Sequence, residues 1–313
     1  MTDIKLTDIK NKKILLVGGT GFIGRHILFR LLELDAEVTV MSLFRPGEYN
    51  GSLLNRCHIL KGDITQVDNR KFISGTHWNI VINVGGFINQ EHDSQSNAEN
   101  FTGHLLHVRE LVSILPTTIE RFVHAGSAVE YGDNPAPHIE NMRERPLNPY
   151  AAAKVAATHY LQMLHRSIGF PSVILRPFYI YGPGQDQGKF LPWVIEQAIL
   201  DKEIKMTKGD QTKDPIHVSD VAEAFIRASI ADRVLGEIIN IASGMHLSLA
   251  EMVNIIVKKV NRGKIQLGAL PYRRGEIMRS EADVAKFRNL LKINQVISFT
   301  DGIQKYLTKD ISP

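Results

Sequence analysis

The chain has a single cysteine, Cys57, in 313 residues, which rules out an internal disulfide and fits a reducing compartment. It also has no apolar run approaching the roughly 20 residues needed to cross a bilayer. The segment from Met1 to Lys13 is polar and mixed in charge, unlike the apolar stretch of a secretory leader. A cytoplasmic protein without membrane contact is therefore expected. A strong charge of one sign is missing too, since 37 Lys and Arg against 33 Asp and Glu leave a net +4. That mild excess suits an anionic small molecule but lacks the clustered basic stripe of a nucleic-acid binder. The densest basic pairs, Lys258-Lys259 and Arg273-Arg274, read as solvated surface. The histidines show no metal-ligand spacing, so no metal is expected. Repeats, low-complexity segments and an interdomain linker are likewise missing.

What is present is an alternation of strand and helix patterns. Short β-branched runs bounded by Gly, Pro, Asn or Asp predict strands near 13–17, 37–42, 57–61, 79–84, 120–125, 171–176 and 237–241. Helical patterns fall between them near 22–34, 97–115, 149–167 and 218–230. Such alternation implies a doubly wound, Rossmann-type parallel sheet covered on both faces, with ligands at the carboxyl ends of the strands. Segments 178–212 and 242–313 break the alternation and are expected to form a smaller, discontinuous substrate lobe. The dinucleotide-binding part would then comprise 1–177 and 213–241.

The densest signal is Gly18-Gly19-Thr20-Gly21-Phe22-Ile23-Gly24, directly after the apolar run Ile14-Leu15-Leu16-Val17 and directly before a helical pattern. Glycine lets the backbone turn sharply and lets a pyrophosphate approach, and the helix start beyond offers free N–H groups and a partial positive charge. A second signal is Tyr150 and Lys154, whose i,i+4 spacing at the start of a helix puts phenol and ammonium on one face. A phenol of pKa about 10 exchanges protons poorly at neutral pH, and a neighbouring cation favours its ionised form. Ser127, just past the strand at Arg121–Ala125, would direct its hydroxyl into the same cleft.

Together these residues resemble the extended short-chain dehydrogenase/reductase family, specifically its nucleotide-sugar epimerases, dehydratases and ketoreductases. The resemblance runs almost end to end. It includes the glycine fingerprint, Gly62-Asp63-Ile64, Asn100 with Gly103, and Gly126-Ser127-Ala128-Val129-Glu130-Tyr131-Gly132. It continues through Tyr150–Lys154, Arg176-Pro177-Phe178-Tyr179, Asp214-Pro215-Ile216-His217 and Arg273-Arg274-Gly275-Glu276. The resemblance implies that Tyr150 is the acid/base, that Lys154 binds the nicotinamide ribose and tunes Tyr150, and that Ser127 bonds the reacting sugar oxygen. It implies cofactor contacts from Gly18, Thr20, Gly21, Phe22, Ile23, Gly24, Asp63, Ile64, Gly85, Gly86, Asn100 and Pro177. Arg273 would grip the substrate diphosphate, with Lys213 where relatives carry an arginine and Tyr179 where an asparagine is common. His217 is expected to be structural. The resemblance also implies a homodimer through the helices at 97–115 and 149–167.

NAD enzymes of this fold carry an acid at the end of the second strand. Here Ser42 stands there, with Arg45 three residues on, a pair suited to a phosphate; NADP is therefore expected, with NAD as the alternative. Dehydratases of the family carry an Asp-Glu pair directly after the Ser127 position. This chain has Ala128 and Val129, which cannot move protons, and Glu130 would point the other way in an extended segment. The reading that follows is an NADP-dependent ketoreductase acting on a nucleotide-linked keto-sugar. An NAD-dependent nucleotide-sugar 4-epimerase is the alternative, and a non-catalytic nucleotide- or RNA-binding member is a third.

Overall fold

The computed structural model describes residues 4–43, 54–273 and 275–308. Its first half alternates β1 (Lys13–Val17), α1 (Phe22–Glu33), β2 (Glu37–Ser42), β3 (His58–Lys61), α2 (Val67–Gly75) and β4 (Ile80–Asn83). Then come α3 (Ser94–Phe101), α4 (His107–Ile114), β5 (Arg121–Ala125), α5 (Pro149–Ile168) and β6 (Ser172–Pro177). The second half contains β7 (Tyr179–Tyr181), α6 (Phe190–Ile199), β8 (Glu203–Lys205), β9 (Thr212–Lys213), β10 (Pro215–His217), α7 (Val218–Ile230) and β11 (Ile238–Ile241). It ends with β12 (Leu247–Ser248), α8 (Leu249–Val260), β13 (Lys264–Gln266), β14 (Arg279–Ser280), α9 (Ala285–Leu291) and α10 (Phe299–Thr308).

Seven strands form one parallel sheet in the order β3-β2-β1-β4-β5-β6-β11. The order reverses between β1 and β4, which opens a crevice at their carboxyl ends, the ligand position of doubly wound sheets. Strand β1 shows why the apolar runs are continuous rather than alternating. Ile14 and Leu16 bury in the cluster shared with α1 and α7, while Leu15 between them buries in the cluster on the opposite face, with α4 and α5. Tyr181, Leu191, Val194, Met252, Ile256 and Ile303 form a third cluster, built by β7, α6, α8 and α10. Phe287 and Leu291 of α9 bury instead in the α1/α7 cluster, so that piece of 242–313 shares the core of the sheet.

The single helix expected over 97–115 is interrupted. Between α3 and α4, residues Thr102–Leu106 form a wide π-type turn. The ring of Phe87 stands where a side chain at Gly103 would go, 2.7 Å from its Cβ position. Such wide turns re-aim the side chains they carry, and here the residue re-aimed is His104.

A candidate active site at the crevice

The crevice begins at the turn after β1. Gly18 has φ +80°, and a Cβ there would stand 2.7 Å from the backbone of Gly85, at the end of β4. A Cβ on Gly24 would stand 2.1 Å from the Gly18 carbonyl oxygen. The glycines thus let the turn, the α1 helix and the β4 end close on one another. Gly21 caps α1 and no side chain closes the helix start, so Phe22 and Ile23 open a helix whose N–H groups and dipole are free for an anion. Opposite lie Gly85, whose N–H donates to Asn83 Oδ1 at 3.1 Å, and Gly86, backed by the His104 ring. This cradle fits a dinucleotide pyrophosphate.

Ser42 ends β2 beside the cradle, but its hydroxyl is hydrogen-bonded to that of Thr20. One of the two groups expected to hold a 2′-phosphate is thus engaged within the protein; the other, Arg45, lies outside the described residues. Asp63 accepts from the Thr65 N–H at 2.8 Å and the Thr65 hydroxyl at 2.5 Å, with His107 at 3.7 Å. Burial pushes its carboxyl up, yet the Thr65 bonds and the His107 ring outweigh this and hold it below its ordinary value. The Ile64 side chain sits in the apolar core, so it presents only backbone to a ligand. Asn100, fully buried, donates to the carbonyls of Asn89 at 2.9 Å and Ser96 at 2.7 Å, and so ties down the loop after β4. Pro177 closes β6, buried against β11.

Deeper in the crevice the structure brings Ser127, Tyr150 and Lys154 together. Asn148 caps α5 by accepting the Ala151 N–H at 2.8 Å, and Pro149 occupies the first turn, which fixes where Tyr150 emerges. Lys154 Nζ donates to the Ala125 carbonyl at 2.8 Å and lies 6.0 Å from the centre of the Tyr150 ring. Burial pushes the Tyr150 phenol up to about 12, and a hydrogen bond with Ser127 opposes that rise. Burial pushes the Lys154 ammonium down to about 8, opposed by the charge of Glu130. His104 packs edge to face on Tyr150 at 5.1 Å and passes its Nε2 to the Phe87 carbonyl at 2.8 Å. Burial and the Lys154 charge push His104 down to about 3, so it is neutral at any working pH.

The expected outward course of Glu130 does not occur, because residues Ala128–Tyr131 coil into a single 3-10 turn rather than extending. Ser127 caps this turn, and Glu130 folds back beneath it to accept the Ser127 N–H at 2.8 Å. Its other oxygen accepts from Arg176 at 2.7 and 3.0 Å, and Arg176 also reaches Glu144 at 2.7 Å. The Ser-x-x-Glu spacing of a capping box was the available sequence signal for this fold-back. The His104–Tyr150 contact had no such signal, because it depends on the wide turn.

On the far wall, Tyr179 lies on β7, paired with Pro215 of β10. Lys213 Nζ donates to the Ile277 carbonyl at 3.0 Å, and burial holds its pKa below the ordinary lysine value. Lys213 thus anchors the stretch following the exposed Arg273. His217 caps α7 by accepting the Ser219 N–H, the structural role expected of it. Among the described residues no cluster of His, Cys, Asp and Glu could hold a metal, and no helix is long and apolar enough to cross a membrane.

A glycine-lined cradle at a sheet crossover, with tyrosine and lysine one helical turn apart beside a serine, defines an enzyme of the extended short-chain dehydrogenase/reductase type. Residues 14–242 match the model of the NAD dependent epimerase/dehydratase family, and the chain belongs to that family. A putative UDP-glucose 4-epimerase of Methanocaldococcus jannaschii is 29% identical over 286 residues, covering 88% of this chain and 92% of that protein. The solved UDP-N-acetylglucosamine 4-epimerase of Methanobrevibacter ruminantium M1, in complex with UDP-N-acetylmuramic acid, superposes with a TM-score of 0.82 at 25% identity over 96% of this chain and 99% of that one. The UDP-glucuronic acid 4-epimerase of Bacillus cereus, in complex with UDP-glucuronic acid and NAD, gives a TM-score of 0.85 at 23% identity over 95% and 98%.

Proposed function

We propose that the protein is an NAD-dependent 4-epimerase of a nucleotide-diphosphate hexose. The observation that carries this reading is the Ser127–Tyr150–Lys154 set deep in the crevice, with Ser127 followed by Ala128 and Val129, which have no acid or base to expel water from the sugar. Such a site supports removal and return of hydrogen at one carbon. The Bacillus cereus neighbour solved with NAD, together with a Ser42 hydroxyl already bonded to Thr20, supports NAD over NADP. The solved and curated relatives that act on UDP-sugars support the epimerase over the ketoreductase expected from sequence.

NAD held in the cradle would supply a reversible hydride acceptor for C4, and inversion follows when the oxidised sugar turns so that the hydride returns to its opposite face. The Tyr150 oxygen takes the proton of the C4 hydroxyl and gives it back, while Ser127 holds that same oxygen by a hydrogen bond. Lys154 keeps a positive charge beside the phenol and holds the ribose. The uncapped α1 helix start receives the pyrophosphate, and Asp63 faces the adenosine half. Arg273 and Lys213 hold the sugar nucleotide's diphosphate and Tyr179 borders its sugar, in a lobe drawn from 178–212 and the segment after 242. A homodimer would form through the helical stretch 97–115 and α5, where Leu106 of the first and Met163 and Ile168 of the second are exposed and apolar.

An enzyme that must reuse its own cofactor holds it through many turnovers. Mass spectrometry of the nucleotide released from purified protein should find NAD, in close to one equivalent per chain. A site that purifies empty and takes up NADPH in preference to NADH would return the reading to the ketoreductase.

A further inference from the structure

Glu130 is the one fully buried carboxylate among the described residues that touches the turn carrying Ser127, and no step of the proposed reaction uses it. One oxygen accepts the Ser127 N–H at 2.8 Å. The other accepts the Thr158 hydroxyl at 3.0 Å and the Arg176 guanidinium at 2.7 Å. Thr158 lies one helical turn beyond Lys154 and two beyond Tyr150, so the three share a face of α5. A single carboxylate therefore ties the Ser127 turn to the helix face carrying the other two groups. Gly126 is what admits it, since a Cβ there would stand 2.7 Å from Glu130 Oε1.

The charges around Lys154 give the carboxylate a second effect. On its own helix Lys154 meets Tyr150, a neutral phenol. From the wide turn it meets His104, and from β5 it meets His124; burial and Lys154 itself keep both below their ordinary values. Arg176 of β6 stands behind Glu130 and donates to it, while Glu144 accepts from Arg176 in turn. Because Thr158, one turn along the same face of α5, holds Glu130 at 3.0 Å, the carboxylate lies beside the face that carries Lys154, and its charge opposes loss of the Lys154 proton.

We propose that Glu130 is a positioning residue of the active site, fixing Ser127 in register with Tyr150 and Lys154 and serving as the buried counter-charge of Lys154. The proposal rests on the reading of Tyr150 as the acid/base, and its test separates the two. Lys154 is followed by carbon NMR in cofactor-free protein labelled at lysine, with the resonance assigned from Lys154→Met. In the wild type it should titrate near pH 8. Removing the negative charge makes the ammonium easier to deprotonate, so in Glu130→Gln the midpoint should fall by about one pH unit. Glu130→Asp keeps the charge but is one methylene shorter, so the midpoint should stay within a few tenths while kcat falls about tenfold and KM changes less than twofold.

Glu130→Gln leaves Arg176 with less counter-charge and can fail to fold. The double variant Glu130→Gln with Arg176→Met is read against Arg176→Met alone, so that only the Glu130 charge differs, and its midpoint should again lie about one pH unit lower. An unmoved Lys154 midpoint in folded Glu130→Gln or between that pair of variants, or wild-type kcat in Glu130→Asp, overturns the proposal. Wild-type protein that turns over no nucleotide sugar would sink the epimerase reading while leaving the Lys154 titration to decide this one.

Discussion

Tyr150→Phe should lower kcat about a thousandfold, with KM for the sugar nucleotide within about threefold and NAD still bound. The substitution removes one oxygen and keeps the ring, so the edge-to-face contact with His104 and the packing of α5 remain. What is lost is the atom that, in the proposed reaction, takes and returns the proton. Because burial pushes that phenol up to about 12, its ionised form depends on the Ser127 hydrogen bond and on nearby positive charge. Steady-state kinetics of the purified variant, with its melting temperature and bound nucleotide as controls, read the effect. Turnover within threefold of the wild type would remove Tyr150 from the mechanism.

Gly24→Ala should abolish stable NAD binding, raising Kd at least a hundredfold, and destabilise the fold by about 2–3 kcal/mol. The added methyl would meet the Gly18 carbonyl at 2.1 Å and the Gly19 Cα at 2.7 Å. These are backbone atoms of the cradle itself, so relief requires the turn to open, and an opened turn no longer aims α1 at a phosphate. Gly75→Ala is the control, because nothing lies within 4 Å of its Cβ position and an alanine near a helix end costs little. Isothermal titration with NAD and thermal melts of both variants test this. Wild-type affinity in Gly24→Ala would mean that the glycine contact does not shape the site.

The sheet was legible because its strands are buried on both faces. Runs such as Ile14-Leu15-Leu16 need apolar side chains at successive positions, and turn residues bound them sharply. All seven sheet strands fall within a residue or two of their expected bounds. Ser127, Tyr150 and Lys154 were legible for a similar reason: a strand end and one helical turn fix where they point. The misses have local causes. The π-type turn at Thr102–Leu106 interrupts a helix whose apolar pattern continues on both sides, so periodicity hid it. An extended course of 127–131 would turn Glu130 away; the capping box at Ser127 coils the segment instead. The Ser42 hydroxyl bonds to Thr20, 22 residues earlier in the chain, and no local pattern reports that pairing.

Internal oxidation and reduction at one sugar carbon leaves no net redox change, so it can be watched by incubating the purified protein, with no added cofactor, separately with UDP-glucose, UDP-N-acetylglucosamine and UDP-glucuronic acid, and following the sugar protons by NMR. At least one of them should convert to an equilibrium mixture with its C4 epimer, without net change in nicotinamide absorbance. No epimer from any of the three, together with steady NADPH oxidation when a nucleotide-linked keto-sugar is supplied, would contradict it.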